Sequence, residues 1–171
     1  MRDLLFVITA LFLMLGCSSK EQKQFLKVYE KNKDYHLGLI KTEKTTLKDG
    51  SSTKALLTAT YLFTETDDLN DTRDENFIVG LYLDEDEGSF ESNEYNLTLN
   101  GKSPKSIVIL AKNDKRLKGI SFASAWTEFY LFTFPHTKSI RFKLLFQSDM
   151  YGKGELYFAK KAKYVFTKKG F

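Results

Sequence analysis

From residue 36 onward, apolar and polar residues alternate in short runs separated by turn signals. A strand sends successive side chains to opposite faces, so period-two alternation predicts a strand with one buried face. Leu37, Leu39 and the Thr-rich stretch Thr42 to Leu47 form the first run, which turns at Lys48-Asp49-Gly50. Asp-Gly between alternating runs is a strong hairpin signal, because both residues tolerate positive φ. The return strand carries Ala55, Leu57, Ala59, Tyr61 and Phe63 on one face and Lys54, Thr58, Thr60 and Thr64 on the other. Asn76 to Leu83 repeats the pattern with Phe77, Val79, Leu81 and Leu83 inward. Tyr95, Leu97 and Leu99 follow, closed by the turn signal Asn100-Gly101. Ile107 to Ala111 is a continuous apolar run and reads as a central strand, since a run without polar positions needs cover on both faces. Phe129 to Phe134 is a second such run, stopped by Pro135. Ile140, Phe142, Leu144 and Phe146 then alternate with Arg141, Lys143 and Gln147. Glu155 to Ala159 and Lys163 to Thr167 complete a last hairpin across Lys160-Lys161.

That makes about nine short strands with brief connections, except at 64–76 and 84–94. Helical signal is confined to Phe25, Leu26 and Tyr29, which fit one short face, and to a single turn within Asp114 to Ser121. Strands with one apolar face bury it by packing sheet on sheet. The expected fold is all-β, a two-sheet antiparallel β-sandwich. It is immunoglobulin-like only in the broad sense, because no cysteine pair flanks Trp126. A closed up-and-down barrel is the alternative.

The start of the chain follows a different pattern. Leu4 to Leu15 is unbroken apolar sequence of 12 residues after Arg2 and Asp3, and it stops at Gly16-Cys17 before the polar Ser18-Ser19-Lys20. This length suits the core of an export signal and falls short of the roughly 20 residues of a spanning helix. Met14-Leu15-Gly16-Cys17 resembles the lipobox of bacterial lipoproteins, matching at Gly16 and Cys17 and departing at Met14 and Leu15. The resemblance covers only the first 19 residues. It implies cleavage before Cys17, acylation of the Cys17 thiol, and anchorage in which each buried methylene contributes about 0.8 kcal/mol. The lack of Asp directly after Cys17 resembles outer-membrane sorting, or cell-membrane anchorage where only one membrane exists. The organisation expected is a signal peptide over 1–16, a lipid-anchored linker with a short helix over 17–35, and a β-sandwich over 36–171.

Cys17 is the only cysteine, so the domain has no disulfide and must be held by apolar burial. Fifteen Phe and nine Tyr supply it. The net charge of +4 conceals a split. Between Glu65 and Glu94, 12 acidic residues stand against Arg73 alone, whereas Tyr95 to Phe171 holds 15 basic and 4 acidic residues. Either the acidic segment folds over the basic one as a neutral mosaic, which is the simpler reading, or the domain has two poles.

Candidate chemistry is sparse. Calcium takes six to eight oxygens, and two acidic loops offer them, with Asp67, Asp71, Asp84 and Asp86 the candidate ligands. Neither loop follows the EF-hand spacing, and the simpler reading is a solvated loop. His36 and His136 are the two histidines; no nucleophile elbow or zinc spacing accompanies them, and no catalytic residue is assigned. Lys160, Lys161, Lys163, Lys168 and Lys169 interleave with aromatic residues and form a candidate binding surface for lipid headgroups or an anionic polysaccharide. Nucleic acid is not the expected partner of an exported protein. The expectation is thus a non-catalytic, lipid-anchored envelope domain without a cofactor, whose partner is an envelope protein or polysaccharide. The alternatives are a calcium-dependent binder or hydrolase and a small outer-membrane barrel.

Overall fold

A computed structural model of the chain describes residues 27, 30, 38–64, 71–84, 90, 94–120 and 127–160. The chain divides into two compact units, Met1–Asp34 and Tyr35–Phe171. In the first, Lys27 and Glu30 are helical and exposed. The second contains eight described strands: β1 (Thr42–Asp49), β2 (Ser52–Tyr61), β3 (Glu75–Leu83), β4 (Tyr95–Leu99), β5 (Ser106–Leu110), β6 (Glu128–Phe134), β7 (Arg141–Ser148) and β8 (Gly152–Ala159).

The strands form two antiparallel sheets, one ordered β1-β2-β3-β6-β5 and the other β4-β7-β8. The fold is a β-sandwich. Among the described residues no ladder joins the two sheets, so they form a sandwich and not the closed up-and-down barrel that was the alternative. The immunoglobulin order moves the third strand to the opposite sheet. Here β1, β2 and β3 are successive neighbours, so the likeness extends no further than the layering.

Alternation decides which side chains meet. Leu57, Ala59 and Tyr61 of β2 pair across to Leu81, Val79 and Phe77 of β3, and all six face the second sheet. Phe142, Leu144 and Phe146 of β7, with Leu156 and Phe158 of β8, close the core from the other side. Rings dominate its contacts: Tyr61 stacks on Phe77 at 4.8 Å, Phe77 meets Phe158 edge-on at 5.2 Å, and Phe90 meets Phe132 at 4.9 Å. Such pairs contribute about 0.5–1.5 kcal/mol each beyond burial, which substitutes for the missing cross-link. A smaller cluster of Ile78, Leu110 and Phe129 lies on the outer face, covered by Leu117 and Ile120 from the segment carrying a 3₁₀ turn at Lys115–Leu117. That turn falls within the expected Asp114 to Ser121, capped by the Asp114 carboxylate accepting from the Arg116 amide at 2.9 Å.

Several expectations are corrected. Gly38 to Ile40 is helical rather than extended, and Lys41 N–H closes on the Gly38 carbonyl at 3.1 Å, so β1 begins only at Thr42. Ile140 precedes β7 and is exposed rather than part of its inward face. β8 starts at Gly152, where φ is +78°, and not at Glu155. Among the described strands β5 lies at the edge of its sheet, not at the centre. The ninth strand, Lys163 to Thr167, lies outside the described residues, as does Trp126.

Candidate functional site

Two places in the sandwich combine unusual chemistry with a definite position. The first is built around Glu75 at the start of β3. The side chains of Phe77, Val79 and Leu81 face the core, so Glu75, two positions earlier, is carried to the same side and is 1% exposed. A buried carboxylate is stable only when its oxygens are filled. Tyr61 at the end of β2 donates its hydroxyl to Oε2. The Thr137 backbone N–H donates to Oε1 at 3.0 Å, and Lys160 Nζ, just after β8, lies 2.6 Å from the same oxygen. Lys160 also donates to the Thr137 carbonyl at 2.6 Å, and its side chain is 14% exposed. His136 Nδ1 sits 3.0 Å from the Arg73 carbonyl; a carbonyl only accepts, so that nitrogen carries a proton. The Phe63 ring is flanked by Arg73 at 5.4 Å and Lys160 at 5.8 Å. Burial, and then the bond to Glu75, push the Tyr61 hydroxyl far above the ordinary tyrosine range. Three separate segments thus converge on one carboxylate, each of whose oxygens has a partner. The arrangement is a clasp in which both oxygens of Glu75 are held by groups of the chain itself.

Of the calcium candidates, Asp67 and Asp86 lie outside the described residues. Asp71 is held by Arg73, whose Nε donates to Oδ1 at 2.8 Å and Nη2 to Oδ2 at 3.0 Å. This guanidinium, with the Arg73 amide, keeps the Asp71 carboxyl well below the usual carboxylate range. Asp84 lies 3.4 Å from Lys54 Nζ. Among the described residues no three His, Cys, Asp or Glu side chains come together as a metal site. Lys160 is drawn inward by Glu75 rather than presented on a basic surface, while Lys161, Lys163, Lys168 and Lys169 lie outside the described residues. So do Cys17 and His36. Two acids of the acidic segment meet bases of the later one, Glu75 with Lys160 and Asp74 with Lys105 at 2.6 Å.

The second place is the β5 edge of the larger sheet, which pairs with no further strand among the described residues. Three strands face five, and β5 lies uncovered: Ile107, Val108 and Ile109 are 42%, 46% and 57% exposed, and only Leu110 is buried. The direction of the β5 backbone follows from the ladder. Leu62 N–H bonds the Asn76 carbonyl at 2.9 Å, so even-numbered β3 residues bond β2 and odd-numbered ones bond β6. Phe77 opposes Phe132, so odd-numbered β6 residues are left for β5, where Thr133 and Leu131 oppose Ser106 and Val108. The N–H and C=O groups of Ile107 and Ile109 therefore point away from the sheet. Their side chains lie on the face shared with Phe132 and Tyr130, while Val108 and Leu110 share the other face with Leu131 and Phe129.

Sequence reasoning missed both places, though a signal existed for each. Glu75 keeps the parity of the inward residues of β3, and extending that alternation by one step would have buried it. The run at Ile107 to Leu110 was visible, but an apolar run does not say whether its cover comes from within the chain. Compared with known proteins, this chain matches no family model, no curated protein and no solved structure.

Proposed function

We propose that this chain is a lipid-anchored envelope protein whose β-sandwich is a non-catalytic binding module. It is held at the outer membrane (the cell membrane where there is only one) through acylated Cys17, and it presents a sheet edge to an envelope protein or polysaccharide. The observation that carries this reading is the uncovered β5 edge, with three neighbouring aliphatic side chains exposed where a core strand would be covered. Exposed strand edges are normally blunted by charge, proline or a covering loop. A non-catalytic role is supported by the Glu75 clasp, in which the most deeply placed ionisable group among the described residues is held by its own chain. Anchorage is supported by the apolar leader and its Gly16-Cys17 junction.

Mass spectrometry of the mature protein from native membranes tests the anchor. The expected N-terminal peptide begins at Cys17 and carries the mass of fatty-acyl chains. A bare thiol, or residues 1–16 still attached, removes the location. Crosslinking in intact cells tests the module: a discrete adduct on the sandwich is expected, and its absence from every face removes the binding role.

A further inference from the structure

The β5 edge is built for one kind of occupant. Ile107 and Ile109 each turn an N–H and a C=O outward, which is the repeat an added antiparallel or parallel strand requires. Their side chains continue the core-side face, so residues of an added strand beside them would share an apolar surface. The opposite face differs. There the segment Lys115–Leu117 packs over Leu110 and Phe129, and it brings Lys115, Arg116 and Lys118, all exposed. Residues 102 to 118 carry six basic side chains and a single acid, Asp114. Arg116 is engaged with Asp114 and Lys105 with Asp74, and the balance around the edge stays positive.

We propose that β5 receives, as a sixth strand of the larger sheet, an extended segment of a partner protein in which apolar and acidic residues alternate. The apolar residues lie beside Ile107 and Ile109, and the acidic ones on the face that Lys115 and Lys118 border. This rests on the reading of the domain as a binding module and narrows its partner from protein or polysaccharide to protein. A polysaccharide would use the bases but would leave the paired backbone groups and aliphatic side chains without a counterpart. A second copy of the chain fits poorly, because it would set the net-positive segment 102–118 of one copy beside that of the other.

The test uses the full chain in mild detergent with two blocked synthetic peptides, one alternating valine and glutamate, the other valine and lysine. The expected result is binding of the glutamate peptide alone, weakened by added salt, with slowed hydrogen exchange at the Ile107 and Ile109 amides. Ile109→Pro removes one outward donor without touching the ladder to β6 and is expected to weaken binding about tenfold or more. Ile109→Glu, which leaves the backbone intact, gives the same direction should the proline variant melt early. Equal binding of both peptides, binding without amide protection, or stronger binding of an acidic oligosaccharide that leaves those amides exchanging freely would overturn the assignment. Failure of both peptides also overturns it, while the module reading is decided separately by the cellular crosslinks, which would then map to another face.

Discussion

Glu75 is the most deeply buried carboxylate among the described residues. Its oxygens are shared among Tyr61, Thr137 and Lys160, so the ends of β2 and β8 and the β6–β7 connection are fastened to the start of β3. Deleting one partner of a buried pair leaves an uncompensated charge and costs about 3–5 kcal/mol, whereas replacing both costs far less. Lys160→Met is therefore expected to lower the unfolding free energy by about 3–5 kcal/mol, and Glu75→Gln added to it to recover part of that loss. Urea denaturation of the two single variants and the double checks this, and simple additivity would show the pair to be uncoupled. Tyr61 supplies a pH dependence of known sign. Its folded pKa is raised by burial and by Glu75, so as pH rises the unfolded chain loses this proton first, near the ordinary tyrosine value of about 10. The contribution is complete below about pH 10 and is lost above it, at about 1.4 kcal/mol per pH unit. Tyr61→Phe should flatten that fall relative to the parent protein, the other tyrosines contributing equally to both, and identical slopes would refute it. Both residues were readable from alternation, Tyr61 as inward and Glu75 by the same parity; what hid Glu75 was its place in a run of acids that composition assigns to solvent.

At the level of elements, β1 and β8 meet across the two sheets at Thr45 and Gly154. A Cβ on Gly154 would lie 2.2 Å from Thr45 Oγ1, 3.0 Å from its Cγ2 and 3.1 Å from its Cβ. Glycine is required there by proximity and not by a left-handed backbone. Gly154→Ala is expected to destabilise the domain by about 1–3 kcal/mol, as overpacking does, and Thr45→Ala in the same chain to restore part of it. Thermal melts of the two variants decide the matter; an unchanged melting temperature for Gly154→Ala would mean that the sheets separate there without cost. Local turn chemistry was legible at this scale. Asp49-Gly50 does turn β1 into β2, with Gly50 at φ +58°, and Asn100 and Gly101 both take positive φ. The second turn is nevertheless not a hairpin between sheet neighbours, because Leu99 and Lys102 make one bridge before the chain crosses to the other sheet. A dipeptide encodes the reversal of the chain but not the sheet in which the next strand pairs.

For the molecule as a whole, alternation was enough to foresee two packed sheets, because each strand announces how many of its faces need cover. It did not reveal that, among the described strands, five would face three, since the number of strands opposite is a property of the assembly and leaves no local trace. The β5 run shows the consequence: Ile107, Val108 and Ile109 look like core in sequence and face solvent in the fold. If the sandwich does not use these side chains, changing them should leave its stability intact. Ile109→Glu is expected to shift the unfolding free energy by no more than about 0.5 kcal/mol, as at other exposed positions. Phe132 lies on the next strand, opposite Ile107, and is fully buried; Phe132→Ala should cost about 3–5 kcal/mol. Two neighbours on one face of one sheet would then differ several-fold in what they contribute to folding, measured by parallel urea titrations. A large loss for Ile109→Glu would mean that β5 is covered by the protein's own chain in solution, and the exposed edge would no longer be available to a partner.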